Sequence, residues 1–340
     1  MDTRGVTATL ADTVRMRMRY GSLSVAARAK THSPREEDMS VIDWLLDSDP
    51  SIRWQVMRDL TDARPDEVAA ERAKIAVEGW GARLLSLQAP DGKWGGGAAL
   101  PGWTSTNHTL WLLCTMGIDP AAAGMRRAVA LVRERVRWEY DDELRFFGGE
   151  VEPCINGTAV MIGSYFGEDV AGIVERLLGE QMADGGWNCE QERGSTRGSF
   201  DTTIRVLEGL LEHERATGGS PAVRTARERG EEYLLERRLL RRLSTGKVID
   251  QRYTQFSFPP GWHYDVLWAL DYFRAAGAKP DDRVSEAIAI VESKRDGGGR
   301  WHLEKPHEGE VHFAMDEGEG KPSRWNTLHA LRVLRWAGRA

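Results

Sequence analysis

Near the middle of this chain, three residue types capable of metal or proton chemistry stand where a fold can bring them together. Cys154, Cys189 and His263, with Glu152 or Asp265 beside them, offer the thiolate, imidazole and carboxylate donors that zinc favours. A catalytic zinc keeps one of its four positions open. Asp201, His263, Asp265, Glu150 and Glu152 are the candidate acid and base groups, because a carboxyl or imidazole in an apolar cavity acquires the shifted pKa that proton transfer needs. A plainer reading stands beside this one: Cys154 packs as a small hydrophobe and His263 serves as a polar helix cap. Cys114, within Leu112-Leu-Cys-Thr-Met116, reads as core.

The elements that would position these groups repeat along the chain. Gln88-Ala-Pro-Asp-Gly-Lys-Trp94 and Gln181-Met-Ala-Asp-Gly-Gly-Trp187 share the form Q-x-x-D-G-x-W. Lys294-Arg-Asp-Gly-Gly-Gly-Arg-Trp301 keeps Asp-Gly and Gly-x-Trp but has lost the Gln and gained a residue. Each copy follows an apolar periodic helix and precedes a second helix that opens on small polar residues, which makes the unit a helix hairpin. The second helices open at Ser105, Cys154, Phe200, Trp262 and Arg324 and are apolar on more than one face, so they belong inside. Val68 to Leu87, Ala121 to Arg137, Pro221 to Leu240 and Asp281 to Ser293 carry charges at exposed spacings and belong outside. Ser40 to Leu46 and Asp49 to Leu60 add a pair, with Asp49 as N-cap and Pro50 at the first helical position. No strand pattern interrupts them. The expectation is an all-α chain, an α/α toroid of about five to six outer and inner helix pairs whose closure hides both ends of the repeat.

The Gln88/Gly92/Trp94 and Gln181/Gly185/Trp187 spacing resembles the Gln-Trp motif of squalene-hopene cyclases, shared more loosely by protein prenyltransferase β subunits. The resemblance spans about residues 40 to 337. It implies the toroid, with the Gln capping a helix end and the Trp stacking across to the next turn, and it implies chemistry on isoprenoid or other apolar small molecules. The Asp-x-Asp-Asp acid motif of the cyclases is missing; the nearest strings are Asp47-Ser-Asp49 and Tyr140-Asp-Asp142-Glu143, the second expected in a loop. Squalene polycyclisation is therefore not expected. Prenyltransferase β subunits hold zinc with an Asp-x-Cys at one inner-helix start and a His at a later one. Glu152-Pro-Cys154 and His263 are the imperfect counterparts here, with Cys189 as a further thiolate.

The inner-helix starts would form one mouth, bearing Asn107, Asn156, Asp201, His263, Asp265, Arg324 and Asn326. Helix N-termini favour anions, so with Arg324 and Arg197 this mouth would suit a diphosphate or carboxylate, although Asp, Asn, Ser and Thr are also ordinary N-caps. Trp103, Trp262, Tyr264 and Trp325 would line an aromatic cavity for an apolar ligand. Asp316 to Lys321, preceded by His312, reads as a lid or a solvated loop.

Bulk composition narrows the class. With 46 basic and 52 acidic residues intermixed and a formal charge of -6, the chain has no field for wrapping nucleic acid. No apolar run approaches a membrane span. Three cysteines make no disulfide framework and suggest a reducing cytoplasm. Residues 1–37, rich in Arg and without an apolar signal region, read as a disordered or wrongly assigned start, followed by one domain over 38–340. The alternatives to an enzyme are a non-catalytic ligand-binding or interaction toroid, or a β-like subunit that needs a partner subunit.

Overall fold

The computed structural model describes residues 39–139 and 141–339, and the expectation for residues 1–37 falls outside them. Helices α1 (Val41–Leu46), α2 (Pro50–Leu60), α3 (Pro65–Ala73) and α4 (Gly79–Ser86) lead into α5 (Thr106–Met116) and α6 (Ala123–Arg135). A hairpin of β1 (Arg137–Trp138) and β2 (Asp141–Arg145) follows. Then come α7 (Pro153–Phe166), α8 (Ala171–Gly179), α9 (Phe200–Thr217), α10 (Pro221–Glu236), α11 (Val266–Ala275), α12 (Ser285–Ser293) and α13 (Arg324–Trp336). The chain is thus mostly helical, and Met39–Ala340 forms one compact unit. No helix among the described residues is long and apolar enough to cross a membrane.

Helix starts follow from local chemistry. Ser105, Ser199, Asp265 and Ser323 each accept a hydrogen bond from the backbone N–H three residues on, which satisfies an otherwise orphaned donor and starts α5, α9, α11 and α13. These helices bury residues all round: α5 buries His108, Thr109, Leu110, Trp111, Leu112 and Leu113 in succession. Their alternates bury one stripe only, as Met125, Ala128, Val129 and Val132 do in α6.

The three Gly/Trp turns are built alike. The indole Nε1 of Trp94, Trp187 and Trp301 donates to Leu84, Leu177 and Val291 respectively, each ten residues back, at 2.7 Å in all three. Their backbone N–H groups donate to Thr106, Thr203 and Thr327, near the start of the next inner helix, at 3.0–3.1 Å. Each turn therefore stitches the end of an outer helix to the start of an inner one. Gln88 and Gln181 reach further: their Nε2 atoms donate across to Ala128 in α6 and Ala226 in α10. In the third copy Arg295 stands six residues before the Trp, where Gln88 and Gln181 stand, and its guanidinium lies over the Trp301 ring instead.

Among the inner helices α7 packs on α5 and α9, and α11 packs on α13, which also packs on α2. The α7–α9 crossing is the tightest, because a Cβ on Gly157 would lie 2.6 Å from the Arg205 carbonyl oxygen and one on Gly209 2.2 Å from that of Gly157. At the other join, Arg332 bonds Gln55 at 2.7 Å and pairs with Asp59 at 2.5 Å, and Arg324 lies over the Trp44 ring.

Several expectations need correction. Val68 to Leu87 is not one helix: Gly79 takes a φ of +65° and Asp49 accepts the Trp80 N–H at 2.7 Å, which breaks the run between α3 and α4. The β1–β2 hairpin was not expected; Trp138 is buried, stacked 4.8 Å from Phe146 and bonded to its carbonyl. Trp262 and His263 do not open α11, since the cap is Asp265.

Candidate functional site

The two cysteines meet. Pro153 at the first position of α7 sets Cys154 in its opening turn, and the Trp187 turn delivers Cys189 two residues later. Ligand atoms of Glu152, Cys154 and Cys189 all lie within 4.8 Å of one another. The Cys154 thiol faces Glu152 Oε2 at 3.6 Å, and Cys189 Sγ lies 3.4 Å from the Thr202 hydroxyl. The sulfurs interact directly: the hydrogen bond between them, then burial, raises Cys154, while the same bond lowers Cys189. Two sulfurs and a carboxylate suit zinc, and three donors leave its fourth position open. Tetrahedral zinc with bonds of about 2.0–2.3 Å spaces its ligand atoms roughly 3.3–3.8 Å apart, within what this group allows. His263 is not a member of the group.

Glu150, read from sequence as an acid or base candidate, and Asn156, read as a mouth residue, support this start instead. The Asn156 amide accepts from the Glu150 N–H and donates to the Glu150 carbonyl, both at 2.7 Å, and Asn156 is fully buried. Glu150 Oε2 accepts the Glu152 N–H at 2.6 Å, and burial raises its pKa. Both are positioning residues for the Glu152–Cys154 turn.

His263 lines a different pocket, with Asp201, Arg252, Tyr253, Tyr264, Asp265, Lys305 and His307, around about 420 Å³ of empty space partly open to solvent. Asp201 begins α9 beside Thr202, so consecutive residues face the pocket and the sulfur group. Its carboxylate accepts the Tyr264 N–H at 2.9 Å and the Tyr253 hydroxyl at 3.3 Å, yet burial still raises its pKa. Burial lowers His263 against the opposing pull of Asp201. His307 stacks on His263 at 4.1 Å and on Trp103 at 5.2 Å, and Trp103 stacks on Trp262 at 4.9 Å. Burial and its cationic neighbours bring His307 down to about 4, so it is a neutral imidazole at pH 7, with Nε2 buried and unpartnered among the described residues.

No protein-family model and no curated protein matches the chain. The site must therefore be read from its own chemistry. Of the remaining sequence candidates, Trp103 and the half-exposed Trp262 stack beside His307 without lining the pocket, and Tyr264 lines it while its hydroxyl donates to Leu239 at 2.7 Å. Trp325 is fully buried between Phe258 and Trp80, and Asn326 donates to the His302 carbonyl, so both serve packing. Arg324 faces Trp44, away from a common mouth with Arg252 and Lys305. Asn107 bonds Ala98 through its N–H and is not among the pocket residues.

Arg252, Lys305 and His307 were not singled out from sequence. The last two lie on an irregular segment that returns over the pocket: Glu304 N–H donates to Phe256, and Trp103 Nε1 donates to Glu308 at 2.7 Å. Asp316, read from sequence as part of a lid or a solvated loop, is partly buried and accepts the Ser323 hydroxyl at 2.9 Å; desolvation raises its pKa to about 6 against that bond.

Asp265 gives a measurable pH signature. Burial raises it to about 7 although it caps α11. Between its ordinary value of 3.8 and that figure the folded chain holds a proton that the unfolded chain has released. This contribution to stability is full below about pH 4 and is lost as pH rises to about 7. Denaturant unfolding at stepped pH values is expected to show Asp265→Asn removing this downward component between pH 4 and 7; an unchanged slope would refute the shift.

Proposed function

We propose that the helix pairs close into an α/α toroid and that the chain is a zinc-assisted enzyme of small isoprenoid or similarly apolar molecules, resembling the prenyltransferase side of that superfamily. The ring reading is supported by the run of inner-helix contacts. Trp54 of α2 bonds Met116 of α5, α5 packs on α7 and α7 on α9, Arg205 of α9 lies over Trp268 of α11, and α11 packs on α13, which returns to α2. The observation that carries the functional reading is the Glu152–Cys154–Cys189 group joined through Thr202 to the Asp201 pocket.

Glu152, Cys154 and Cys189 would hold the metal, which supplies a Lewis acid or an activated thiolate or water. The chain's own groups do the rest. Arg252 and Lys305 at the pocket attract an anionic head group, as cations in a cleft do. Asp201, whose pKa burial raises, and His263, whose pKa burial lowers, are the pocket groups placed to exchange a proton with a bound molecule. Tyr253, Tyr264, His263 and His307, which line the pocket, present aromatic surface to an apolar tail.

Metal analysis of the purified chain tests this. About one zinc per chain is expected, lost in Cys154→Ser and in Cys189→Ser but retained in His263→Ala, because His263 stands outside the group. A chain that binds no zinc when offered it would overturn the metal-assisted reading.

A further inference from the structure

Two free thiols this close have a chemistry of their own. Cys154 and Cys189 are both unbridged, with their sulfurs within 4.8 Å. A disulfide requires a separation of about 2.05 Å, so a few ångströms must close. Cys154 is held in the first turn of α7, whereas Cys189 lies outside any helix, on the segment between α8 and α9, so its backbone is the one without helical hydrogen bonds to break if the sulfurs close. Glu152 Oε2 already faces the Cys154 thiol and can receive its proton. Cys114, by contrast, is buried within α5 away from both.

We propose that Cys154 and Cys189 are a reversible redox pair, which a low-molecular-weight disulfide such as glutathione disulfide converts to an intramolecular disulfide. The Cys189 thiolate attacks one sulfur of glutathione disulfide. That S–S bond breaks, a mixed disulfide forms on Cys189, and one glutathione thiolate leaves. Cys154 passes its proton to Glu152 and attacks the Cys189 sulfur, expelling the second glutathione thiolate. Two protein thiols are oxidised, and one glutathione disulfide is reduced to two glutathiones. The bond removes both sulfur donors from the Glu152 group, so oxidation would release a bound metal. That consequence rests on the proposed zinc centre, whereas the disulfide itself does not.

The test uses the full chain, stripped with a chelator, exposed to glutathione disulfide and mapped by peptide mass spectrometry. A linked Cys154–Cys189 peptide is expected, reversed by dithiothreitol, with Cys114 remaining free. Cys154→Ser should stop at a single glutathione adduct on Cys189, with circular dichroism showing that the variant is folded. Wild-type chain that keeps both thiols free, or carries separate adducts without a link, would overturn the proposal. A parallel arm loaded with zinc separates the two readings. A disulfide forming in a chain that never binds zinc upholds this inference and removes the metal one, whereas zinc binding with no disulfide on stripping removes this inference alone.

Discussion

Trp187→Ala is expected to lower the unfolding free energy by about 3–5 kcal/mol, the cost of emptying a large aromatic site that cannot collapse. The side chain is fully buried, and a Cβ on Gly230 of α10 would come 2.7 Å from its ring, so the indole packs flush on the neighbouring outer helix. Its Nε1 satisfies Leu177 at the end of α8, and its backbone N–H is held by Thr203 in α9. Trp187→Phe keeps most of the packing but leaves the Leu177 carbonyl without its donor, for a smaller loss of about 1–3 kcal/mol. Urea unfolding of both variants gives the comparison. A loss under about 1 kcal/mol for the alanine variant would mean that this turn does not anchor three helices. Cys189 lies two residues beyond, so zinc retention should fall with stability.

Gly157→Ala is the second large effect, and it acts on the site through the backbone. The added methyl would lie 2.6–2.7 Å from the carbonyl group of Arg205 and the nitrogen of Val206. Backbone cannot rotate aside as a side chain does, so α7 and α9 must separate at a cost of about 1–3 kcal/mol. Those helices carry Cys154 and Thr202, and the separation should weaken metal binding by about 10–100-fold, as disturbed supporting contacts do. Gly172→Ala in the first turn of α8, where nothing lies within 4 Å, is the control and should be neutral or slightly stabilising. Thermal unfolding and metal titration of the two variants decide the matter. Equal behaviour would show that α7 and α9 are not held at glycine distance.

The helix pairs were legible because their signals are local. Capping serines, Asp49-Pro50 and the Q-x-x-D-G-x-W turns act within a dozen residues, and the structure uses them where the sequence places them. The sulfur group was legible for the same reason, since each cysteine follows a strong local anchor, Pro153 or Trp187. His263 was assigned to it by analogy of position alone, and the chain sends that ring to the pocket beside Asp201 instead. Glu150 and Asn156 were read as facing a ligand because polar residues at a helix start look alike whether they bind a substrate or each other's backbone. His307 had no signal to give. Its segment has no period, and only returns to Phe256 and Trp103, the latter about 200 residues away, bring it to the pocket.

The contact between α13 and α2 carries a consequence for folding. Arg332 and Gln55 are 277 residues apart in the chain, and Asp59 meets the same guanidinium. Along the chain α2 comes second among the described helices, and α13 comes after all the others. α2 already has α3, α4 and the Met116 carbonyl of α5 to pack on, but the loop that Arg332 must close to reach it is nearly the length of the domain. Closing so long a loop is expected to be a slow step in folding, with its rate set by how soon α13 finds α2.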